Sequence, residues 1–356
     1  ADMGNVLGQP KLVRMKKAGS SDAGWYVAVS SGYNNHQADG HASTSGTQAL
    51  FLLSVDKAPG DTWELNRNYF KVMVAPPDSG RAIALANPGV AKDIQGNAVL
   101  FYAGDTQGNL WKFDFQSGLD AAAASNAIKK ASGGAPVPMA ILKDAANKVQ
   151  PITTSPVVAE GLKDGYMVMF GTGKFIEAGD GAASEVNAVY GIWDNLSNVI
   201  GDWKVTRSKL YGRSFSDLGK TTGDASFVYG TGDGAYRGWY VTLPISGERV
   251  VTDPDTRFGY VAVNSLVPPA DCASKGSGAT MALDNLYGTT GSSRSYQTVR
   301  YLSRPRIVQV DLSENDAYTY TPRSSTGRRD MVVNSIPVST TGGSGGSPVL
   351  IQGSTV

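Results

Sequence analysis

One pattern recurs along this chain and limits what it can fold into. An apolar run rich in Val, Tyr, Phe, Trp and Ile ends in a turn containing Gly, Asn or Asp, and a second apolar run then closes on an acid or a turn. The copies are residues 24–33 with 49–56, 98–105 with 108–115, 165–173 with 188–194, and a more degenerate 259–265 with 279–284. Each reads as a β-hairpin whose strands are buried on both faces, because apolar residues run continuously instead of alternating with polar ones. Gly supplies the turn, and the closing Asp accepts hydrogen bonds from turn amides. A hairpin of this kind cannot bury its faces alone, so several must stack, as the blades of a propeller do.

The turns at Gly32, Gly104, Gly171 and Asn264 are 72, 67 and 93 residues apart, against about 40–50 for regular propeller repeats. The expected fold is therefore all-β, a modified and irregular β-propeller of four or five blades with long inserted loops. Composition agrees. Hydrophobic residues make up 41% of the 356, and the 43 Gly and 17 Pro are scattered between the apolar runs without a collagen-like period. Residues 120–130 (DAAAASNAIKK) combine helix formers with an acid at the start and lysines at the end, which predicts one short surface helix. Residues 1–338 are read as the propeller domain. Residues 339–356 are read as a tail that starts with a Gly/Ser-rich, linker-like run, and residues 34–47 as a polar loop. Trp111 and Phe113 alternate with Leu110 and Lys112, so one face of that strand is expected in the core and the other partly exposed.

Charge excludes some partners. The 32 basic and 31 acidic residues leave a net charge of +1, with no Lys/Arg stripe that would point to nucleic acid or an anionic membrane. No apolar run reaches the length of a membrane span, and the opening Ala1-Asp2-Met3-Gly4 has no charged or apolar leader features, so no signal peptide is expected in this stretch. The single Cys272 allows no internal disulfide or Cys-based zinc site; it reads as a lone thiol or as half of a bridge to a cysteine elsewhere in a longer parent.

Chemistry-bearing residues are sparse. Asp56, Asp105, Asp114, Asp194 and Asp284 each end or turn a hairpin, where Asp commonly caps amides. His36, Asp39 and His41 share one polar loop at loose spacing, and Asp311, Ser313 and Asn315 lack the Gly and the final acid of a calcium loop. Residues 230–234 (GTGDG) have no following Lys and read as a turn, not a phosphate loop. No catalytic constellation is expected.

The stretch 102–114 (YAGDTQGNLWKFD) resembles the most recognisable block of the PilC/PilY family of type IV pilus proteins. Other blocks follow in order: residues 1–10, 31–34 with 51–56, 153–158 with 170–175, 190–194, 238–241 with 247–251, and 266–268 with 271–272. Together they cover residues 1 to about 290. The resemblance implies a C-terminal β-propeller domain from a protein exported to the periplasm, outer membrane, cell surface or pilus tip. It also implies a non-enzymatic role in pilus biogenesis, twitching motility and adhesion, with minor pilins and a host or abiotic surface as partners. Members of the family bind calcium in an Asp-rich loop before the Tyr-Ala-Gly-Asp turn. The aligned positions here are Ala91, Asp93, Gln95, Gly96 and Val99, so Asp93 and Gln95 are the remaining candidate ligands, and no calcium or other cofactor is expected.

Two other readings remain open. One is a pyrroloquinoline-quinone propeller oxidoreductase, disfavoured by the irregular spacing and the single Cys. The other is an extracellular binding propeller without a pilus role. Under any binding reading, recognition belongs to loops held by a rigid scaffold, here residues 34–47, 120–147 and 199–231. The last carries Trp203, Tyr211, Arg213 and Phe215, residue types common in binding hot spots.

Overall fold

The computed structural model describes residues 2–36, 45–74, 83–217, 219–269, 276–291, 294–298, 301–302, 304–308, 316–324 and 329–337. Strands form five separate sheets. The first is an antiparallel meander of β1 (Lys11–Lys16), β2 (Ala23–Ser30), β3 (Ala49–Ser54) and β4 (Tyr69–Met73). The second repeats it with β5 (Gly89–Lys92), β6 (Ala98–Gly104), β7 (Asn109–Asp114) and β8 (Ala140–Ile141), with helix α1 (Ala121–Asn126) between β7 and β8. The third runs in the order β12-β13-β11-β10-β9, from β9 (Val157–Glu160), β10 (Tyr166–Gly171), β11 (Ala188–Asp194), β12 (Tyr211–Arg213) and β13 (Gly238–Thr242); its β12–β13 pair is parallel. The fourth is a meander of β14 (Asp255–Arg257), β15 (Tyr260–Val267), β16 (Ser277–Asp284) and β17 (Ser295–Thr298). In the fifth, β18 (Tyr301–Leu302) and β19 (Arg306–Val308) pair with β20 (Asp316–Ser324), which also pairs with β21 (Arg329–Pro337).

The four hairpins read from the sequence are the middle strand pairs of the first four sheets: β2/β3, β6/β7, β10/β11 and β15/β16. Middle strands such as β6, β11 and β16 have sheet neighbours on both sides and are buried on both faces, which is why they are continuously apolar, whereas β2 departs from the expectation by leaving Trp25 47% exposed. A second repeat marks the edges. Each sheet has an edge strand entered through an X-Pro step: Gln9-Pro10, Asn87-Pro88, Ser155-Pro156, Asp253-Pro254 and Arg304-Pro305 stand immediately before β1, β5, β9, β14 and β19. Proline biases the preceding residue to extended backbone, and its missing N–H costs nothing at the start of an edge strand.

The chain divides into two compact units. The first comprises Ala1–Leu142, Pro151–Pro156 and Ser197–Thr206; the second comprises Lys143–Gln150, Val157–Leu196 and Arg207–Val356. The core of the first gathers Val13, Met15, Leu50, Leu52, Phe101, Trp111, Phe113 and Phe115 from its two sheets. That of the second joins Met167, Met169, Val189, Trp239 and Val241 to Val261, Val263, Met281 and Leu283. In the second unit the backbone of Gly191 lies against the Trp239 indole across β11–β13, and a Cβ there would come within 2.3 Å of the ring. A side chain at position 191 would expel the tryptophan.

Two expectations need correction. On β7 both faces are closed: Leu110 and Lys112 are as buried as Trp111 and Phe113, with Lys112 only 2% exposed. Its ammonium lies 5.6 Å from the centroid of the Trp203 ring, where the indole face offsets some of the lost hydration. The helix stops at Asn126 and does not reach Lys130. Asp120 caps it by accepting from the Ala123 N–H at 2.6 Å, but Ile128 then bridges to Phe113 and draws the backbone into the sheet. The Gly/Ser-rich tail, Cys272, His41, Asp39 and the Asp311-Ser313-Asn315 series lie outside the described residues. No helix among the described residues is long and apolar enough to cross a membrane.

Candidate functional site

Three five-residue turns share one design, and two of them hold the acids most tempting as ligands. At Asp93 the backbone N–H donates to Asn97 O (2.9 Å) and the C=O accepts from Gly96 N (2.9 Å). Oδ1 of Asp93 accepts from Gln95 N (3.0 Å) and Asn97 N (2.8 Å), and Oδ2 accepts from Asn97 Nδ2 (2.9 Å). Asp105 repeats this with Gln107 N, Asn109 N and Asn109 Nδ2, and adds the Trp111 indole N–H at 2.8 Å on Oδ2. Asp144 does the same with Ala146 N and Lys148 N. The fourth position is left-handed in all three: Gly96 (φ 81°), Gly108 (φ 77°) and Asn147 (φ 64°). Gly and Asn tolerate that conformation, so Asp-x-x-Gly/Asn-x is a hairpin-turn signature whose carboxylate holds the turn closed.

This geometry decides how well Asp93 suits calcium. Such an ion takes about 6–8 oxygens, several of them carboxylates. Here one carboxylate already faces three N–H donors, the Gln95 side chain is exposed, and Ala91 and Val99 have no side-chain oxygen. The residues do not fit the ion. Burial pushes the Asp93 carboxyl up, but hydrogen bonds from Asn97 and Gln95 outweigh it and hold the group below the usual Asp range. The balance reverses at Asp105, where complete burial outweighs four hydrogen bonds and raises the carboxyl. Asp105→Asn should nevertheless destabilise the first unit by about 2–4 kcal/mol, because an amide NH₂ would replace an acceptor oxygen and face two donors, Asn109 Nδ2 and the buried Trp111 Nε1. Thermal unfolding checks this, and an unchanged midpoint would show that the turn does not need the second carboxylate oxygen.

The other hairpin acids also serve turns. Asp114 accepts from Gln116 N, Asp194 from Leu196 N, and Asp284 from Leu286 N and Tyr287 N. Asp56 differs: its own N–H donates to Ser54 Oγ. Among the described residues no three His, Cys, Asp or Glu side chains group as metal ligands.

The four aromatic and arginine candidates of residues 199–231 divide between the two compact units. Tyr211, Arg213 and Phe215 belong to the second unit, Trp203 to the first. Arg213 is 3% exposed, and its guanidinium donates to the carbonyls of Tyr287, Thr222 and Asp224 at 2.6–2.9 Å. Tyr211 stacks on Phe227 with centroids 4.9 Å apart and meets Tyr236 edge-on. Phe215 lies under the Arg294 guanidinium. All three hold loops onto the third and fourth sheets. Trp203 is different. It is half-buried on residues 197–206, which are tied to β8 through Val205 N–Met139 O and Ile141 N–Val205 O. Its indole donates to Ser197 O at 3.1 Å and lines an open cavity of about 630 Å³, beside the exposed Val199 and Ile200.

The sequence reading missed Arg249 and Glu248, both fully buried in the second unit. Arg249 donates to the carbonyls of Gly247, Lys174, Asp180 and Ala183, which fastens the loop after β10. Glu248 pairs with Arg294 and accepts from Ser265 Oγ. The available signal was two adjacent charged residues directly before the apolar pair Val250-Val251.

Comparison with known proteins decides the family. The profile of the PilY1 beta-propeller domain matches residues 1–227. The chain belongs to the PilY1 β-propeller family. Among curated relatives, the type IV pilus biogenesis factor PilY1 homolog of Xylella fastidiosa is 28% identical over 303 residues, 81% of this chain and 19% of that protein. The type IV pilus biogenesis factor PilY1 of Pseudomonas aeruginosa PAO1 is 27% identical over 355 residues, 90% of this chain and 28% of that protein. The chain thus spans between about a fifth and a little over a quarter of the length of these PilY1 relatives. The crystal structure of the P. aeruginosa PilY1 C-terminal domain superposes with a TM-score of 0.65 at 22% identity, over 94% of this chain and 73% of that one. At that identity the likeness establishes the fold: all-β, propeller-like and irregular.

Proposed function

We propose that this chain is a non-catalytic recognition domain of an exported type IV pilus biogenesis factor. In this reading it acts at the outer membrane, cell surface or pilus tip, contacts minor pilins, and supports twitching motility and adhesion to host or abiotic surfaces. The observation that carries the proposal is the PilY1 propeller profile over residues 1–227, together with relatives named as pilus biogenesis factors. The chemistry of the hairpin acids is in keeping with it. Asp93, Asp105, Asp114, Asp144, Asp194 and Asp284 all use their carboxylates to accept turn N–H groups. Deleting the parent gene tests the proposal: surface pili and retraction should fall sharply, and unchanged piliation together with unchanged retraction would refute it.

The same reading includes no tight calcium site at Asp93. Calorimetry of the purified chain should find no micromolar Ca²⁺ affinity that Asp93→Ala abolishes. Such an affinity would mean that the turn opens and that its N–H donors yield to the ion.

A further inference from the structure

We propose that the cavity between β7, α1 and residues 197–203 binds an acidic saccharide, with Trp203 as the platform for a pyranose ring and Lys129 and Lys130 as the seat of its carboxylate or sulfate.

The ring of Trp203 is held by two neighbours, and the half-buried residue borders the cavity. The Lys112 ammonium approaches the ring from β7, and since Lys112 is 2% exposed this is the protein side. Ser197 O holds the indole N–H, so the ring cannot swing. Trp203 is itself one of the residues lining the cavity. An indole face carries negative quadrupole density and therefore attracts the weakly positive C–H bonds on one side of a sugar ring.

Charge sets the ligand's sign. Lys129 Nζ donates to Asn198 O and Lys130 Nζ to Ser125 O, so neutral carbonyls position both ammonium groups without cancelling their charge. Among the described lining residues the one acid is Asp114, whose oxygens already take the Gln116 N and Nε2 donors at 2.9 and 3.1 Å. The exposed side-chain amides of Asn126 and Asn198 also line the cavity and offer donors and acceptors suited to hydroxyls. A peptide backbone would find little to pair with, because this end of β7 is already bonded to 127–128 through Asp114 N–Ala127 O and the Phe113–Ile128 bridge.

The inference deepens the adhesion part of the proposed function and depends on that reading for its biological use. Binding by the purified chain is independent of any pilus phenotype, so the two can fail separately. The experiment is calorimetry of the 356-residue chain with trigalacturonate and sialyllactose, using lactose as the neutral control and a poly-Glu peptide as the competing class. Expected is binding of at least one acidic sugar, weakened by salt, with lactose about tenfold weaker or worse. Trp203→Ala should cost about tenfold or more. Lys130→Glu, at an exposed position that leaves the fold intact, should do the same. Absence of acidic-sugar binding, equal binding of lactose, affinity unchanged by Lys130→Glu, or preference for poly-Glu would each overturn the proposal.

Discussion

Trp111→Ala is expected to lower the unfolding free energy of the first unit by about 3–5 kcal/mol, the usual cost of emptying a large aromatic site. The indole is 2% exposed within the cluster of Phe101, Phe113 and Phe115, so neighbouring side chains cannot relax into the space without leaving their own contacts. The substitution also removes the N–H that Asp105 accepts at 2.8 Å, inside a turn whose carboxyl is already pushed toward the neutral form by burial. Trp111→Phe separates the two contributions: it keeps most of the volume and loses the hydrogen bond, and should cost about 1–3 kcal/mol. Urea unfolding followed by circular dichroism measures both. A midpoint unchanged in Trp111→Ala would mean that the β6–β7 register is wrong.

Arg249→Met should destabilise the second unit by about 3 kcal/mol or more, since several buried carbonyls lose their donor together. The guanidinium reaches four carbonyls at 2.6–2.8 Å because its donors are spread in a planar fork. Lysine offers one point of charge and cannot span Gly247 and residues 174–183 together, so Arg249→Lys should recover little. Limited proteolysis supplies a second readout: the loop after β10 should become a cleavage site in both variants. Retention of the wild-type midpoint and cleavage pattern would show that the loop is held by Lys174, Glu177 and Asp180 alone.

What the sequence disclosed follows from where burial is complete. Middle strands such as β6 and β11 are apolar along their whole length, so they stand out as runs. Outer strands such as β4 and β9 are short and half-exposed, and their residues do not separate from loop composition. For one outer strand of each sheet the signal was the X-Pro step before β1, β5, β9, β14 and β19, which marks the start of a strand without any apolar period, while β4 has no such mark.

The candidate site was less legible. Spacing along the chain placed Trp203 near Tyr211 and Arg213, yet these residues belong to different compact units, and Arg213 is an internal clamp. Aromatic and Arg residues in a long insertion have the same composition whether they cover a sheet edge or face a ligand. Which of the two they do depends on long-range partners such as Lys112 and Tyr287, and no local pattern records those partners. Asp93 shows the converse. Its turn reads as a degraded calcium loop when aligned alone and as a hairpin turn when set beside Asp105 and Asp144.

The central claim is that the sheets carry the fold while a loop-borne surface around Trp203 does the recognition. The direct measurement is made on cells whose full-length parent protein has residues 199–203 replaced by a Gly/Ser linker, scoring pilus number and adherence together. The account predicts normal amounts of folded parent protein with adherence or piliation lost, since Val205 and its ties to Met139 and Ile141 are kept. Wild-type piliation together with wild-type adherence would contradict it.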